Sequence, residues 1–360
     1  MKKKVLVVSP KDFLTHKGGD SALTNLLVND LKFTFDVHTV SLSNISSDSS
    51  NDHKVYKSRI SYMKLFLNLF RGLHPYFSRF IEPKIVDRIQ DLEPDFVICE
   101  HLYMTPMALA AKNRRDFRLI SNIHVLESRI QSGHRKLLLP LLRRNELSAL
   151  RASDLNWSFD EKEVSHLQEY RDIASKTRKV FPSFKNGLKT DLQGDIFFLG
   201  NQFWNPNRLA VQNILTMWPR ITALFPTARI RIIGDYDKSW YESVPSGVSI
   251  EGRVDDLSLL LNHAKLLVAP ITVGGGVRVK ILECISRGIP VLSTDLGIGD
   301  LKNDFPAIIS SANLEDLEKE LIKILDNDCD LDYVSNSLYE SNSLFQSHSS
   351  YSKILLELDN

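Results

Sequence analysis

The sequence is poor in the features that mark secreted, membrane-spanning and nucleic-acid-binding proteins. Its 360 residues include three cysteines, none in a CxxC pair, which indicates reduced thiols in a cytosolic protein. No apolar run is long enough to cross a bilayer, and the four apolar residues that follow Lys4 are too few for a signal-peptide core. The formal net charge of +1 argues against nucleic-acid binding. We therefore expect a cytoplasmic globular protein with no nucleic-acid partner.

What the sequence does contain is a repeated alternation of short apolar strands with helices. In the first half, strands are predicted at residues 5–8, 35–40, 96–99, 119–123 and 154–157. After a polar segment, further strands are predicted at residues 196–199, 230–233, 248–251, 265–269 and 290–293. Such alternation indicates parallel sheets covered by helices on both faces, and so an α/β fold with two Rossmann-like domains. Because ligands of such sheets bind beyond the carboxyl ends of the strands, we expect the active site in a cleft between the domains.

The most informative segment is a glycine-rich loop that follows the apolar strand at residues 266–270. Residues 274–276 are three consecutive glycines, which let backbone N–H groups approach an anion closely. The helix that follows adds a positive partial charge at its start, and Arg278 and Lys280 add two full charges. Glu283 lies one turn further on. This pattern indicates a pyrophosphate site with a carboxylate beyond it, as a nucleotide-sugar requires; an ordinary strand–turn–helix unit with solvated charges is the alternative.

Residues 274–283 have the sequence GGGVRVKILE, and a Gly-Ile-Pro-Val segment follows at residues 288–291. This segment resembles the donor-binding motif of GT-B-fold glycosyltransferases of the family 4 type (glycosyltransferase group 1), in the branch with Gly-Gly-Gly-x-Arg-x-Lys. The resemblance implies the GT-B fold, with two Rossmann-like domains facing each other across a cleft. It also implies that Arg278 and Lys280 hold the donor pyrophosphate, and that Glu283 accepts hydrogen bonds from the ribose hydroxyls.

The domain boundaries follow from the strand pattern and from this resemblance. Residues 1–172 are predicted to form the acceptor-side Rossmann-like domain, and residues 173–194 a linker. Residues 195–335 are predicted to form the nucleotide-sugar-binding Rossmann-like domain. Residues 336–360 are predicted to be C-terminal helices, the last of which crosses back to the first domain as in other GT-B proteins.

Further donor contacts are implied on the loops at the strand ends. The implied donor- and nucleotide-binding set is Gly18, Gly19, Gly200, Asn201, Gly234, Asp235, Arg253, Val254, Gly274, Gly275, Gly276, Val277 and Glu283. Most family members have a sugar-contacting Glu where this chain has Gly275, so the donor sugar must be recognised by other groups. Most also have a phosphate-binding Arg and Lys where this chain has Asn201 and Pro206. The phosphate charges are then expected on Arg278 and Lys280. Asn207 is predicted to cap the following helix.

Polar residues at strand ends in the first domain complete the predicted site. Family 4 enzymes often place a histidine near the reacting sugar carbon, and His124 lies at that position; with Arg278 and Lys280 it forms the predicted catalytic set. The expected acceptor-side residues are His16, Glu100, His101 and Glu127. A structural role at a loop or strand end is the alternative for each of these residues. Residues 235–237 spell the metal motif DxD of another glycosyltransferase fold, but here we interpret them as a surface turn and predict no metal site.

Residues 57–84 intersperse basic residues with aromatic ones and contain a single acid, Glu82. Residues 1–170 carry 25 Lys and Arg against 20 Asp and Glu, so the first half is net basic. This composition is typical of a segment that lies on an anionic membrane surface. A helix with an ordinary core-facing apolar side has the same composition, and that alternative stays open.

These observations and the resemblance together predict a hexosyl- or other glycosyltransferase (EC 2.4). It would move a sugar from a UDP- or GDP-sugar to a glycan, a lipid-linked acceptor or a protein, in bacterial surface glycan assembly. The resemblance implies retention of anomeric configuration, and no metal or other cofactor is expected. The alternatives are a catalytically silent GT-B partner subunit or binding protein, and a nucleotide-sugar epimerase of the same fold. The expected location is the cytoplasm, either free or peripheral at the inner face of the membrane.

Overall fold

The computed structural model shows two compact units, each built on one parallel sheet. The residues that it describes are 2–15, 18–43, 50–57, 62–78, 81–130, 138–159, 165–180, 184–254, 256–274, 279–348 and 351–358. The first unit comprises the described residues up to Val180 together with residues 351–358. The second unit comprises the described residues from Phe184 to His348.

The first unit contains a seven-stranded sheet whose central strands are apolar and buried on both faces. Its strands are β1 (Lys4–Ser9), β2 (Asp36–Ser43), β3 (His53–Lys57), β4 (Phe96–Glu100), β5 (Arg118–Ile123), β6 (Leu155–Ser158) and β7 (Thr177–Lys179). They pair in parallel in the order β3-β2-β1-β4-β5-β6-β7. Leu6 of β1 and Val97 of β4 are fully buried, as expected for a parallel sheet covered by helices on both sides.

Helices connect these strands as the alternating pattern predicts. They are α1 (Gly19–Lys32), α2 (Tyr62–Phe70), α3 (Pro75–Ser78), α4 (Pro83–Leu92), α5 (Thr105–Lys112), α6 (Glu127–Ile130), α7 (Leu139–Ala152) and α8 (Arg171–Ala174). None of the helices among the described residues of the whole chain combines the length and the apolar character needed to cross a bilayer.

The second unit repeats the architecture with a six-stranded sheet. Its strands are β8 (Ile196–Leu199), β9 (Ile230–Ile233), β10 (Val248–Gly252), β11 (Leu266–Ala269), β12 (Val291–Thr294) and β13 (Ile309–Ser311). They pair in parallel in the order β10-β9-β8-β11-β12-β13. Its helices are α9 (Asn205–Leu224), α10 (Leu257–His263), α11 (Val279–Ile285), α12 (Asp295–Ile298), α13 (Leu301–Asp304), α14 (Leu314–Leu325) and α15 (Leu331–His348). The predicted α/β class with two Rossmann-like sheets is thus confirmed.

The structure adds detail at the two ends of the first unit. The segment predicted as a linker, residues 173–194, contains β7, a three-residue strand that pairs with β6 at the edge of the first sheet. Its short, polar sequence resembles a loop because only Thr177 is buried. The last helix, α16 (Tyr351–Glu357), packs in the first unit, where the Ser352 backbone N–H donates to Asp30 Oδ2 at 2.9 Å.

Candidate functional site

Each sheet has one point where its strand order reverses, and both points gather residues that the sequence singled out. In the first sheet, β1 lies between β2 and β4, so the loops after β1 and β4 lead to opposite faces of the sheet. In the second sheet, β8 lies in the same way between β9 and β11. Ligands of open α/β sheets bind at such switch points, beyond the carboxyl ends of the strands. We therefore describe one candidate site in each unit.

Glu100 is the centre of the first candidate site. It is the last residue of β4, it is buried, and its carboxylate accepts hydrogen bonds from three side chains. Thr24 Oγ1 of α1 donates to Oε2 at 3.0 Å, and Asn122 Nδ2 of β5 donates to Oε1 at 2.7 Å. His124 Nε2 donates to Oε2 at 2.7 Å. A buried carboxylate is stable only with such partners, so Glu100 fixes the positions of the side chains that bond it.

His124 owes its protonation state to this carboxylate. Burial alone would lower the pKa of the imidazole, but the charge of Glu100 and its hydrogen bond raise the pKa above the ordinary histidine value. Nε2 is occupied by Glu100, whereas Nδ1 is buried without a hydrogen-bond partner among the described residues. When protonated, the residue is an oriented imidazolium whose remaining N–H can donate to a bound ligand.

His101 stacks on this imidazolium and is held in a strained backbone conformation. The two rings lie 4.1 Å apart between centroids, with an interplanar angle of 21°. His101 has φ 72°, a left-handed conformation that is uncommon for a residue with a side chain and that clusters at functional sites. Burial and the neighbouring charge of His124 lower its pKa well below the ordinary value, so the ring is neutral. Its Nδ1 is also buried without a partner among the described residues.

Asp20 completes the first site from the start of α1. Its carboxylate accepts a hydrogen bond from Lys11 Nζ at 2.9 Å. Desolvation acts in the opposite direction, but the positive charges of Lys11 and of protonated His124 hold the pKa of Asp20 well below its usual range. Asp20, His101 and His124 each place one potential metal-ligand atom within 4.8 Å of the other two, so they are the residues that would hold a metal ion here. The sequence-based expectation of a metal-free site stays a prediction.

The remaining first-unit residues of the predicted site lie around the same loops. Gly18 is the N-cap residue of α1 and, lacking a side chain, makes no side-chain capping hydrogen bond. Gly19 is the first helical residue. Glu127 is buried as the first residue of α6. His16 lies outside the described residues.

Close approach of glycine backbone defines the second candidate site. A Cβ on Gly234 would lie 2.3 Å from the carbonyl oxygen of Gly200, and one on Gly200 would lie 2.6 Å from Cγ of Asn207. Gly234 also has φ 133°, a conformation that side chains disfavour. A Cβ on Gly274, at φ 109°, would lie 3.1 Å from Pro206. The ends of β8, β9 and β11 therefore meet the start of α9 with no room for side chains at these glycines.

Asn207 joins this backbone to Lys280. Its Nδ2 donates to the backbone oxygen of Asn201 at 2.8 Å, and its Oδ1 accepts from Lys280 Nζ at 2.8 Å. Lys280 Nζ also lies 4.3 Å from the ring centroid of Phe198 in β8. The prediction that Asn207 caps the helix is wrong, because α9 begins at Asn205 with Trp204 as the preceding residue. Asn207 instead holds the cation, which the sequence did not indicate.

Glu283 lies one turn after Lys280 on α11 and is half-buried. Burial raises the pKa of its carboxyl group, while Arg287 acts in the opposite direction. Among the described residues no side chain donates a hydrogen bond to this carboxylate, which leaves it available to a ligand. Four predicted site residues of this motif lie outside the described residues: Gly275, Gly276, Val277 and Arg278. The structure describes the other three, Gly274, Lys280 and Glu283.

The other predicted nucleotide contacts lie on neighbouring turns of the second unit. Asp235 follows β9, and its carbonyl oxygen accepts from the Gln202 backbone N–H at 2.8 Å. Asp237 of the DxD sequence accepts from the backbone N–H of Ser239 at 2.9 Å, so it stabilises a surface turn as expected. Arg253 is exposed and Val254 half-buried after β10. A cavity of about 310 Å³ is lined by Gly194 and Asp195 before β8 as well as by Val254, and we assign it no role.

Comparisons with known proteins agree with this two-sheet architecture. Residues 193–327 match the family model described as Glycosyl transferases group 1, which covers most of the second unit. No curated protein sequence is significantly similar to the chain.

Three solved structures illustrate the similarity of fold. Sucrose-phosphate synthase of Thermosynechococcus elongatus is 13% identical, with a TM-score of 0.74, over 99% of this chain and 98% of that one. HepE of Anabaena, in complex with UDP-glucose, is 11% identical, with a TM-score of 0.68, over 99% of this chain and 98% of that one. WaaG, a glycosyltransferase, is 13% identical, with a TM-score of 0.67, over 94% and 95%. The chain therefore has the GT-B fold along its whole length, and its second unit matches the group 1 glycosyltransferase model.

Proposed function

We propose that the protein is a glycosyltransferase that moves a sugar from a UDP- or GDP-sugar to an acceptor hydroxyl, with retention of configuration and without a metal. The observation that carries the proposal is Lys280, which Asn207 and Phe198 hold at the switch point of the second sheet. The family match over residues 193–327 supports the same activity. HepE, which shares the fold, has been crystallised with UDP-glucose, which supports a nucleotide-sugar as the donor.

In this proposal the second unit binds the nucleoside diphosphate. The ammonium group of Lys280 stabilises the negative charge that develops on the diphosphate as the sugar leaves. Because its contacts with Asn207 and Phe198 fix it before the donor binds, little reorganisation is needed during the reaction. Arg278 and the backbone N–H groups of residues 274–276 add to this anion site. Glu283 accepts hydrogen bonds from the ribose hydroxyls.

The first unit then serves the transferred sugar and the acceptor. Glu100 holds His124 Nε2, so the Nδ1–H of the imidazolium donates to a sugar oxygen. His101, neutral and stacked on His124, offers a second ring nitrogen to a hydroxyl group. WaaG, which has the same fold, is involved in lipopolysaccharide biosynthesis. This supports a glycan or lipid-linked acceptor in bacterial surface glycan assembly.

The test is a thermal-shift screen of the purified protein with UDP, GDP, their sugars and the corresponding monophosphates. A ligand at 100 times its Kd adds about 2.7 kcal/mol to the stability. We expect one diphosphate and its sugars to raise the melting temperature, and the monophosphate to do so far less.

The sugar that shifts the melting temperature is then incubated with the protein, with and without glycan acceptors, and the products are separated. Release of nucleoside diphosphate with a glycosylated acceptor supports the proposal. Binding with no turnover of any donor would indicate a silent partner subunit instead. A free isomer of the nucleotide-sugar, formed without acceptor, would indicate an epimerase.

A further inference from the structure

Helix α2 presents an apolar face to solvent. Met63, Phe66, Leu67 and Phe70 have exposed fractions of 67%, 57%, 50% and 77%. At spacings of three, four and seven residues they share one side of the helix. The rings of Phe66 and Phe70 touch edge to face, with centroids 4.8 Å apart. No other helix among the described residues exposes four large apolar side chains.

The rest of the structure holds this helix in place with that face outward. Leu65 and Leu69, on the opposite side of α2, are half-buried against the protein. Asn145 of α7 binds the chain just after the helix: its Oδ1 accepts from the His74 backbone N–H at 2.7 Å, and its Nδ2 donates to the Gly72 carbonyl at 3.1 Å. The partial burial of Leu65 and Leu69 and this anchor indicate a fixed orientation, so the exposure of the apolar face belongs to the folded unit.

The sequence on both sides of α2 is basic. No Asp or Glu occurs between residues 53 and 81, whereas six Lys and Arg do: Lys54, Lys57, Arg59, Lys64, Arg71 and Arg79. Lys57 ends the edge strand β3, five residues before α2 begins, and Arg71 follows the helix directly; both are exposed. An occupant of this surface must be apolar where it meets the four side chains and anionic around them.

We propose that α2 docks on an anionic lipid membrane, with Met63, Phe66, Leu67 and Phe70 inserted at the boundary of headgroups and acyl chains. An interfacial helix buries its apolar face about 5–10 Å deep, while basic residues beside it contact anionic headgroups. A second copy of the chain fits the surface less well, because two basic surroundings would face each other. A stable protein interface also needs about 20–30 residues a side, far more than this helix offers.

The experiment is co-sedimentation of the full chain with phosphatidylcholine vesicles and with vesicles that also contain phosphatidylglycerol. We expect binding to the anionic vesicles only, weakened by salt because the headgroup attraction is screened within about 10 Å at 0.1 M. The double variant Phe66→Ser with Phe70→Ser should bind at least about tenfold more weakly, since each buried aromatic side chain contributes strongly. Phe33→Ser, at an exposed position after α1, is the matched control and should bind like the wild type.

A second pair of variants separates local charge from total charge. Lys57→Gln with Arg71→Gln should weaken binding about thirtyfold, which corresponds to roughly 1 kcal/mol for each of the two basic residues near the surface. Arg114→Gln with Arg144→Gln removes the same charge at exposed positions elsewhere in the first unit and should have little effect.

Two results would overturn the proposal. The wild type could stay in the supernatant with both vesicles, or the Phe66 and Phe70 variant could bind as well as the wild type. If the wild type instead forms a dimer by analytical ultracentrifugation, and the same variant is a monomer, the face is a contact between copies. Because donor binding is measured separately by thermal shift, failure here leaves the proposed glycosyltransferase activity standing.

Discussion

The two candidate sites hold a basic side chain in different ways. In the first unit, side chains bond one another: Glu100 accepts hydrogen bonds from Thr24, Asn122 and His124, and it raises the pKa of the histidine. In the second unit, glycines bring backbone into contact, and a neutral amide and an aromatic ring hold the cation Lys280. The first arrangement suits an oriented proton donor. The second suits an anion-binding site, because a fixed cation lies beside closely packed glycine backbone.

The proposed function gives each unit a separate task, and variants can test this division. Changes in the second unit should act on diphosphate binding and on the charge of the leaving group. Changes in the first unit should act on the reaction at the sugar and on its pH dependence, with donor affinity preserved.

The largest effect is expected at Lys280. Lys280→Ala should lower turnover by about 10²–10³-fold, the usual result of removing one preorganised charge-stabilising group. Steady-state rates with the best donor from the thermal-shift screen measure this effect. Lys323→Ala, at an exposed position on α14, is the matched control and should keep the wild-type rate. If Lys280→Ala turns over within threefold of the wild type while folded, Lys280 has no part in the mechanism.

The close approach of backbone segments within the second unit is tested at Gly234. Gly234→Ala places a Cβ against the Gly200 carbonyl at a strained φ, and should cost about 2–4 kcal/mol of unfolding free energy. Gly252→Ala shares a positive φ, but its Cβ would meet only Tyr236 at 3.6 Å, so about 1–2 kcal/mol is expected. Urea unfolding of both variants measures the difference. Equal losses would mean that backbone contact at Gly200 does not shape the site.

The first unit is tested by Glu100→Gln. Without the carboxylate, burial lowers the pKa of His124, so the imidazolium is lost at lower pH. As pH rises, the rate of the Glu100→Gln variant should therefore begin to fall at a lower pH than the rate of the wild type. At about pH 8 we expect a ten- to hundredfold loss, within the range of general acid–base effects. The two rates should converge in acid, where both histidines are protonated.

The same pair gives a stability signature with a fixed sign. Because the folded pKa of His124 is raised, its pairing with Glu100 stabilises the fold fully below the ordinary histidine pKa of about 6.5. That contribution disappears as pH rises through the raised folded value. Urea unfolding across this range should show a pH dependence in the wild type that Glu100→Gln reduces. If Glu100→Gln leaves the pH dependence of both the rate and the stability unchanged, Glu100 does not set the protonation state of His124.

The smallest expected effect is that of chelation. We predict that EDTA leaves turnover unchanged, because Lys280 supplies the positive charge that a metal would otherwise provide. Loss of activity with EDTA, restored by Mn²⁺ or Mg²⁺, would contradict this. Asp20→Asn and His101→Gln would then show whether the cluster of Asp20, His101 and His124 holds the ion.

The sequence predicted most of the fold because central parallel strands are continuous apolar runs. The short edge strands β3, β7 and β13 were missed, since exposure on one side makes them polar. Lys280 and Glu283 were singled out as site candidates by their spacing after the glycines, and their roles stay predictions. The partner of Lys280 was not, because Asn207 has the ordinary sequence context of a helix cap. Glu100, His101 and His124 were singled out at strand ends. The hydrogen bonds of Glu100 with Thr24 and Asn122 could not be predicted, since the fold brings together residues that lie far apart in the chain.

The central claim is that the second unit binds the nucleoside diphosphate while the first acts on the sugar. Isothermal titration of UDP and GDP into the wild type, Lys280→Ala and Glu100→Gln tests it most directly. We predict that one nucleotide binds the wild type, that Lys280→Ala raises its Kd at least about tenfold, or 1.4 kcal/mol, and that Glu100→Gln leaves Kd within about twofold. Contradiction would come from a wild type that binds neither nucleotide, or from Glu100→Gln weakening the binding while Lys280→Ala does not.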